Sequence, residues 1–141
     1  MSTIRKAKPE DTSQLEVLYQ RTCRETFTSR PQDNFQMGDY AKSVREDEVW
    51  VAEEHGKIIG FVSTYPDDNF VHNLFVYSDH QGRGIGSCLM QMAEANLARP
   101  MTLKIAMDNL KVCAFYEKQG WSQVSVHEEA AEPYLLYRKS K

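Results

Sequence analysis

Apolar and polar positions along the chain change their period several times, and each change marks an element. Leu15, Leu18, Tyr19, Cys23 and Phe27 fall at offsets 0, 3, 4, 8 and 12, the spacing of a helix buried along one side. Pro9 and Glu10 lead into this helix, and Asp11, with Gln14 three residues on, is placed to cap it. Thr3 to Ala7 before it reads as a short strand. The polar stretch from Thr28 to Asp39, which contains Pro31, reads as a loop with the composition of a mobile segment. A shorter helix follows over Tyr40 to Arg45. Val49 to Ala52 is a strand, His55-Gly56-Lys57 is a turn, and Ile58 to Tyr65 is the second arm of a hairpin. Pro66-Asp67-Asp68-Asn69 turns the chain again, into a strand from Phe70 to Tyr77.

After Tyr77 the pattern becomes helical. Ile85, Leu89, Met92, Ala93 and Leu97 share one side of a helix whose end Pro100 marks. Met101 to Met107 is a fifth strand. Asn109 is placed to cap a helix carrying Val112, Cys113, Phe115 and Tyr116, and Gly120 to stop it. Trp121 to Val126 and Tyr134 to Arg138 close the chain as two strands. The order β-α-α-β-β-β-α-β-α-β-β predicts an α/β (α+β) fold. It is a mixed sheet of about seven strands with helices on its faces, and the strand–helix–strand unit forms a right-handed crossover.

Composition narrows the function classes. With 141 residues, 41% hydrophobic and 26% charged, the chain has the makings of one ordinary globular domain, residues 1–141. A net charge of −3 provides no global basic field for nucleic acid. No apolar run approaches the roughly 20 residues that span a bilayer. The first residues, Met1-Ser2-Thr3-Ile4-Arg5-Lys6, lack the apolar stretch of a secretory signal. Cys23, Cys88 and Cys113 are odd in number and form no CxxC pair, so they are expected as reduced core residues of a cytoplasmic protein, with no metal site.

The strongest chemical signal is Gln81-Gly82-Arg83-Gly84-Ile85-Gly86, followed by Ser87, between an apolar strand and an amphipathic helix. Glycines let the backbone turn tightly and approach a ligand closely. The helix behind them offers free N–H groups and the positive end of its dipole, and Arg83 adds a charge. The combination suits a diphosphate. No Gly-Lys-Ser/Thr occurs, which excludes a Walker loop. A dinucleotide fingerprint counted from Gly82 requires glycine where Ser87 stands, and an earlier place in the domain.

What fits is Q/R-x-x-G-x-G, met by Gln81, Gly84 and Gly86, and here the chain resembles the GNAT N-acetyltransferase superfamily. Leu74-Phe75-Val76-Tyr77-Ser78-Asp79 looks like the strand end that precedes this loop in the family, with Ser78 in place of the usual proline. A second segment, from Asn109 to Trp121, is similar to the family's N-x-x-A-x-x-x-Y-x-x-x-G-F. Asn109 and Tyr116 stand at the family spacing, Cys113 and Ala114 shift the small residue, and Trp121 replaces phenylalanine. Element order extends the resemblance over nearly the whole chain, while residues 70–121 carry its specific motifs.

The resemblance implies a mostly antiparallel sheet, splayed between its fourth and fifth strands, and acetyl-CoA as co-substrate. Gln81, Gly82, Arg83, Gly84, Ile85, Gly86 and Ser87 would grip the pyrophosphate. The main chain of Leu74, Phe75 and Val76 would bind the pantetheine arm and, near Val76, the acetyl carbonyl. Asn109 would reach a cofactor amide. Tyr116, almost two helical turns further and on the same face, would point at the sulfur. Tyr116 also fits as a core residue and Asn109 as a plain cap.

Direct attack by an amine needs an oxyanion donor, a proton for the departing thiolate and a base. Tyr116, a phenol with an ordinary pKa near 10, is the candidate acid. Lys104 stands where certain family members place a glutamate base. His72, on the fourth strand, is the substitute, although a lone histidine in a strand also fits a structural role. His55, His80 and His127 show no metal spacing, and His80 lies beside the loop within reach of phosphate. Glu128, Glu129 and Glu132 read as a solvated turn, or as an attraction for a cationic amine. Phe27, Phe35 and Tyr65 fit either the acceptor pocket or the core. The partners expected are acetyl-CoA and an amine acceptor, with no nucleic acid and no membrane; a homodimer is common in the family. The alternatives are a non-catalytic acyl-CoA-binding or sensing domain of the same fold, and an interaction module whose glycine loop is only structural.

Overall fold

The structure, a computed structural model, describes residues 2–141. Its strands are β1 Thr3–Lys6, β2 Glu48–Glu54, β3 Lys57–Tyr65, β4 Phe70–Val76, β5 Met101–Ala106, β6 Ser122–His127 and β7 Tyr134–Lys139. Its α-helices are α1 Thr12–Thr26, α2 Asp39–Ser43, α3 Ile85–Ala95 and α4 Cys113–Glu117. The seven strands form one sheet in the order β1-β2-β3-β4-β5-β7-β6. Neighbours are antiparallel except β4 and β5, which are parallel and joined through α3. The fold class and element order are those the sequence predicts.

Local chemistry accounts for the joints. His55 and Gly56 take φ of +53° and +78°, the left-handed pair that a two-residue hairpin loop needs to match strand twist. β3 is apolar almost throughout because both of its faces are covered. Trp50, Ala52, Ile59 and Val62 pack under Ile85, Leu89, Met90 and Ala93 of α3. Val49, Val51, Ile58 and Phe61 pack under Leu15 and Leu18 of α1 and Tyr40 of α2.

Several expectations are corrected. Asp11 does not cap α1. Its carboxylate closes a 3-10 turn at Pro9–Asp11, where Oδ2 accepts the Lys8 N–H at 2.7 Å, and it binds Arg5. α2 starts and ends earlier than expected. α3 ends at Ala95, well before Pro100, and places Met90 rather than Met92 in the deep core. Asn109 makes no side-chain cap; a 3-10 turn, Leu110–Val112, stands between it and a short α4. Of the three cysteines, Cys23 is buried and Cys113 half-buried, but Cys88 is exposed on the outer face of α3, not in the core. The loop from Thr28 to Asp39 is tied down: the Phe35 carbonyl accepts from Gln20 and Arg24, and the Phe35 ring is buried. Among the described residues no helix is long and apolar enough to cross a membrane.

Candidate active site

β4 and β5 pair only over Phe70–Val71 against Thr102–Leu103, then diverge. Beyond Val71, β4 is bonded on one side alone. Tyr77 N–H donates to the Ile59 carbonyl at 3.0 Å. By antiparallel alternation Phe75 and Asn73 also bond β3, so the Leu74 and Val76 amides face the gap. Below the gap lies a cavity of about 950 Å³, walled by β4, β5, α1, α2 and the segment before β7. His72, Leu74, Phe75, Asn109 and Tyr116 all line it.

Asn109 and Tyr116 both line this cavity. The Asn109 Oδ1 is buried with no hydrogen-bond partner. A buried carbonyl oxygen left unpaired costs free energy unless a ligand satisfies it. The Tyr116 ring is wedged edge-on between Phe115 and Trp121, and burial raises its hydroxyl above the ordinary value, so it keeps its proton at physiological pH. Tyr116 faces the cavity from a half-buried position.

His72 is not alone. Its Nδ1 donates to Asp47 Oδ2 at 2.8 Å, and the Asp47 side chain is only 4% exposed. The carboxylate fixes the ring's orientation. Sequence reading missed Asp47, which stands within Arg45-Glu46-Asp47-Glu48 and reads there as solvated; only the tertiary contact buries it.

The glycine loop lies outside the cavity lining, at the far end of the gap. Gly82 and Gly84 both have φ of +81°, and a Cβ at either would meet no heavy atom within 4 Å, so the concave side of the loop is open. Gly84 precedes α3, whose first turn has no side-chain cap, leaving N–H groups unpaired toward solvent. Gly86 joins loop to cavity: a Cβ there would touch Phe115 at 3.4 Å and the cavity-lining Leu74 at 4.0 Å. Gln81 donates its amide to the Val76 carbonyl at 3.0 Å and Gln119 reaches Ser87 Oγ at 3.4 Å. Arg83 is paired with Glu54 at 2.7 Å and also donates to His80 Nδ1 at 2.8 Å. Its charge is therefore neutralised within the fold, and His80 faces Arg83.

On the acceptor side, Phe27 and Phe35 line the cavity, but Tyr65 belongs to a smaller neighbouring pocket with Asp47. Glu132 reaches the cavity; Glu128 and Glu129 line a separate surface pocket by β6. Arg30 binds both oxygens of Asp108, at 2.7 and 2.8 Å, and stacks on Phe27 at 3.9 Å. Cys23 also lines the cavity, and burial pushes its thiol up to about 11, leaving it protonated and a poor nucleophile at neutral pH.

Comparison with known proteins bears on this geometry. YiaC of Escherichia coli strain K12, described as a peptidyl-lysine N-acetyltransferase, is 38% identical over 72 residues, 51% of this chain and 48% of YiaC. The match thus spans about half the length of that relative. YhfO of Bacillus subtilis strain 168, an uncharacterized N-acetyltransferase, is 28% identical over 136 residues, 85% of this chain and 89% of its own. Among solved structures, PaiA N-acetyltransferase from Thermoplasma acidophilum, in complex with coenzyme A, superposes with a TM-score of 0.80 at 16% identity, covering 100% of this chain and 99% of that one. The family model "Acetyltransferase (GNAT) family" matches residues 12–121. That span runs from α1 through the split strands and the glycine loop to the end of α4, and by it the chain belongs to the GNAT acetyltransferase family.

Proposed function

We propose that residues 1–141 form a single GNAT domain that transfers an acetyl group from acetyl-CoA to a primary amine of a small molecule or peptide by direct attack. The observation that carries this reading is the unpartnered, buried Asn109 oxygen in the cavity that Tyr116 also lines, which opens where β4 leaves β5. The coenzyme A bound in the PaiA structure and the description of YiaC support the class of reaction. The three unbridged cysteines support a cytoplasmic place of work.

The residues present fit acetyl-CoA. The open glycine loop and the uncapped start of α3 suit its diphosphate, the free amides of Leu74 and Val76 suit the pantetheine arm as an added strand, and Asn109 Oδ1 suits one of its amide N–H groups. When bound, it supplies an acetyl group activated as a thioester. His72 Nε2, held in orientation by Asp47, takes the proton from the acceptor nitrogen. The Val76 amide donates to the oxygen on which negative charge develops, a contribution of about 3 kcal/mol for a fixed donor of this kind. Tyr116 holds the proton that the leaving sulfur requires. The protonated Cys23 argues for direct attack rather than an acetylated cysteine.

Thiol release under acetyl-CoA saturation tests the assignment. Tyr116→Phe is expected to lower turnover about 10²-fold with little change in acetyl-CoA affinity, and His72→Gln to lower it by a similar factor. Wild-type turnover in both variants would remove these roles.

A further inference from the structure

The charges lining the cavity are not equally committed. Arg30 is spent on Asp108 and lies 3.7 Å from Glu132. Asp39 accepts the Gln36 N–H at 2.8 Å and keeps its charge. Asp47, in the neighbouring pocket, is occupied by His72. Two cations stand outside these pairs. Lys42, exposed in the last turn of α2, and Lys104, exposed on β5, both line the cavity, and neither has a carboxylate partner among the described residues. Lys104 is steered by aromatic faces instead: its Nζ sits 4.5 Å from the Tyr134 ring centre and 5.9 Å from that of Phe70. Such contacts hold an ammonium in place while leaving its N–H donors free.

A shared ring sets where that ammonium stands. The Phe70 ring lies 5.9 Å from the Lys104 Nζ and 5.9 Å from the His72 ring, at the place where β4 and β5 stop pairing. A proton acceptor and an uncommitted cation therefore stand side by side on one wall. The Glu128 and Glu129 carboxylates, which the sequence offered as an attraction for a cationic substrate, lie in another pocket.

We infer that the acceptor is a small amine that also carries an anionic group, a carboxylate or a phosphate, a few bonds from the nitrogen. Its nitrogen meets His72 and its anion meets Lys104, with Lys42, which also lines the neighbouring pocket with His72, adding to the field. The selectivity is against polyamines, whose second ammonium would face Lys104. This inference rests on the acetyltransferase reading and names its substrate class.

The test is kcat/KM, by thiol release, for γ-aminobutyrate, its primary amide and putrescine. These share a chain length and a primary amine, and differ in the far group. β-Alanine and phosphoethanolamine form a second arm that distinguishes carboxylate from phosphate. The anionic amines are expected to exceed both the amide and putrescine at least about 10-fold, and Lys104→Met is expected to collapse that ratio. The thermal shift of Lys104→Met with acetyl-CoA reports whether the variant is folded. Where it is not, Lys42→Met is expected to reduce the same ratio. A preference for putrescine or the amide, or a ratio unchanged in the folded variants, would overturn the inference and leave acetyl transfer standing. No turnover with any amine would overturn both.

Discussion

The carboxylate of Asp11 is held from three sides. Oδ2 accepts from the Lys8 N–H at 2.7 Å and from Arg5 Nη1 at 2.8 Å, and Oδ1 accepts from Arg5 Nη2 at 3.1 Å. Arg5 also reaches Glu53, so one guanidinium pins β1 to β2 and to the start of α1. The Arg5 hydrogen bonds hold the Asp11 carboxyl below its ordinary range. Because the folded value is depressed, the unfolded chain takes up the proton first as pH falls. The stabilisation is therefore complete above about pH 4 and fades as pH drops through the folded value. Asp11→Asn is expected to cost about 2 kcal/mol at pH 7, with a gap from wild type that narrows in acid, read by denaturant unfolding at both pH values. A gap independent of pH would contradict the assignment. At this scale the sequence was half legible. Asn109 and Tyr116 were found because their spacing matches a known pattern. Asp47 and the Arg30–Asp108 pair were not, since each joins residues far apart in the chain and nothing local distinguishes a buried carboxylate from a solvated one.

Elements were the most legible level, because hydrophobic period and turn chemistry are local. The β2–β3 hairpin followed from glycine between two β-rich runs, and the α3 start from its glycine loop. Boundaries slipped where tertiary contacts overrode propensity, as at Asn109, where the side chain faces the cavity instead of capping a helix. The split between β4 and β5 came from resemblance alone, since no periodicity announces a pair that stops after two rungs. Gly60 shows how tightly the unsplit side is closed. A Cβ there would lie 2.8 Å from the Phe75 carbonyl oxygen and 3.2 Å from Leu89 Cδ1. Gly60→Ala must push β3 away from β4 or α3, and is expected to cost about 1–3 kcal/mol and lower Tm by roughly 4–12 °C. An unchanged melting temperature would show that this contact gives way freely.

The whole molecule places two kinds of surface at opposite ends of one gap. Main-chain groups, with glycines and a helix start, face the end suited to an anionic cofactor whose chemistry does not vary. Side chains from α1, α2, β5 and the segment before β7 wall the end where an acceptor would enter. The first end was readable in the sequence, because backbone binding demands glycine at fixed offsets. The second was not, because its walls come from four parts of the chain and their charges are decided by pairing; Arg30 and Lys104 look equivalent in sequence, yet of these two only Lys104 has no carboxylate partner.

Everything proposed for this gap requires that it bind the acetyl donor. Calorimetric titration of the folded chain with acetyl-CoA measures that directly. The expected result is a saturable heat corresponding to one acetyl-CoA per chain, with Kd in the micromolar range. Absence of any binding heat at millimolar acetyl-CoA, on protein shown to be folded, would contradict it.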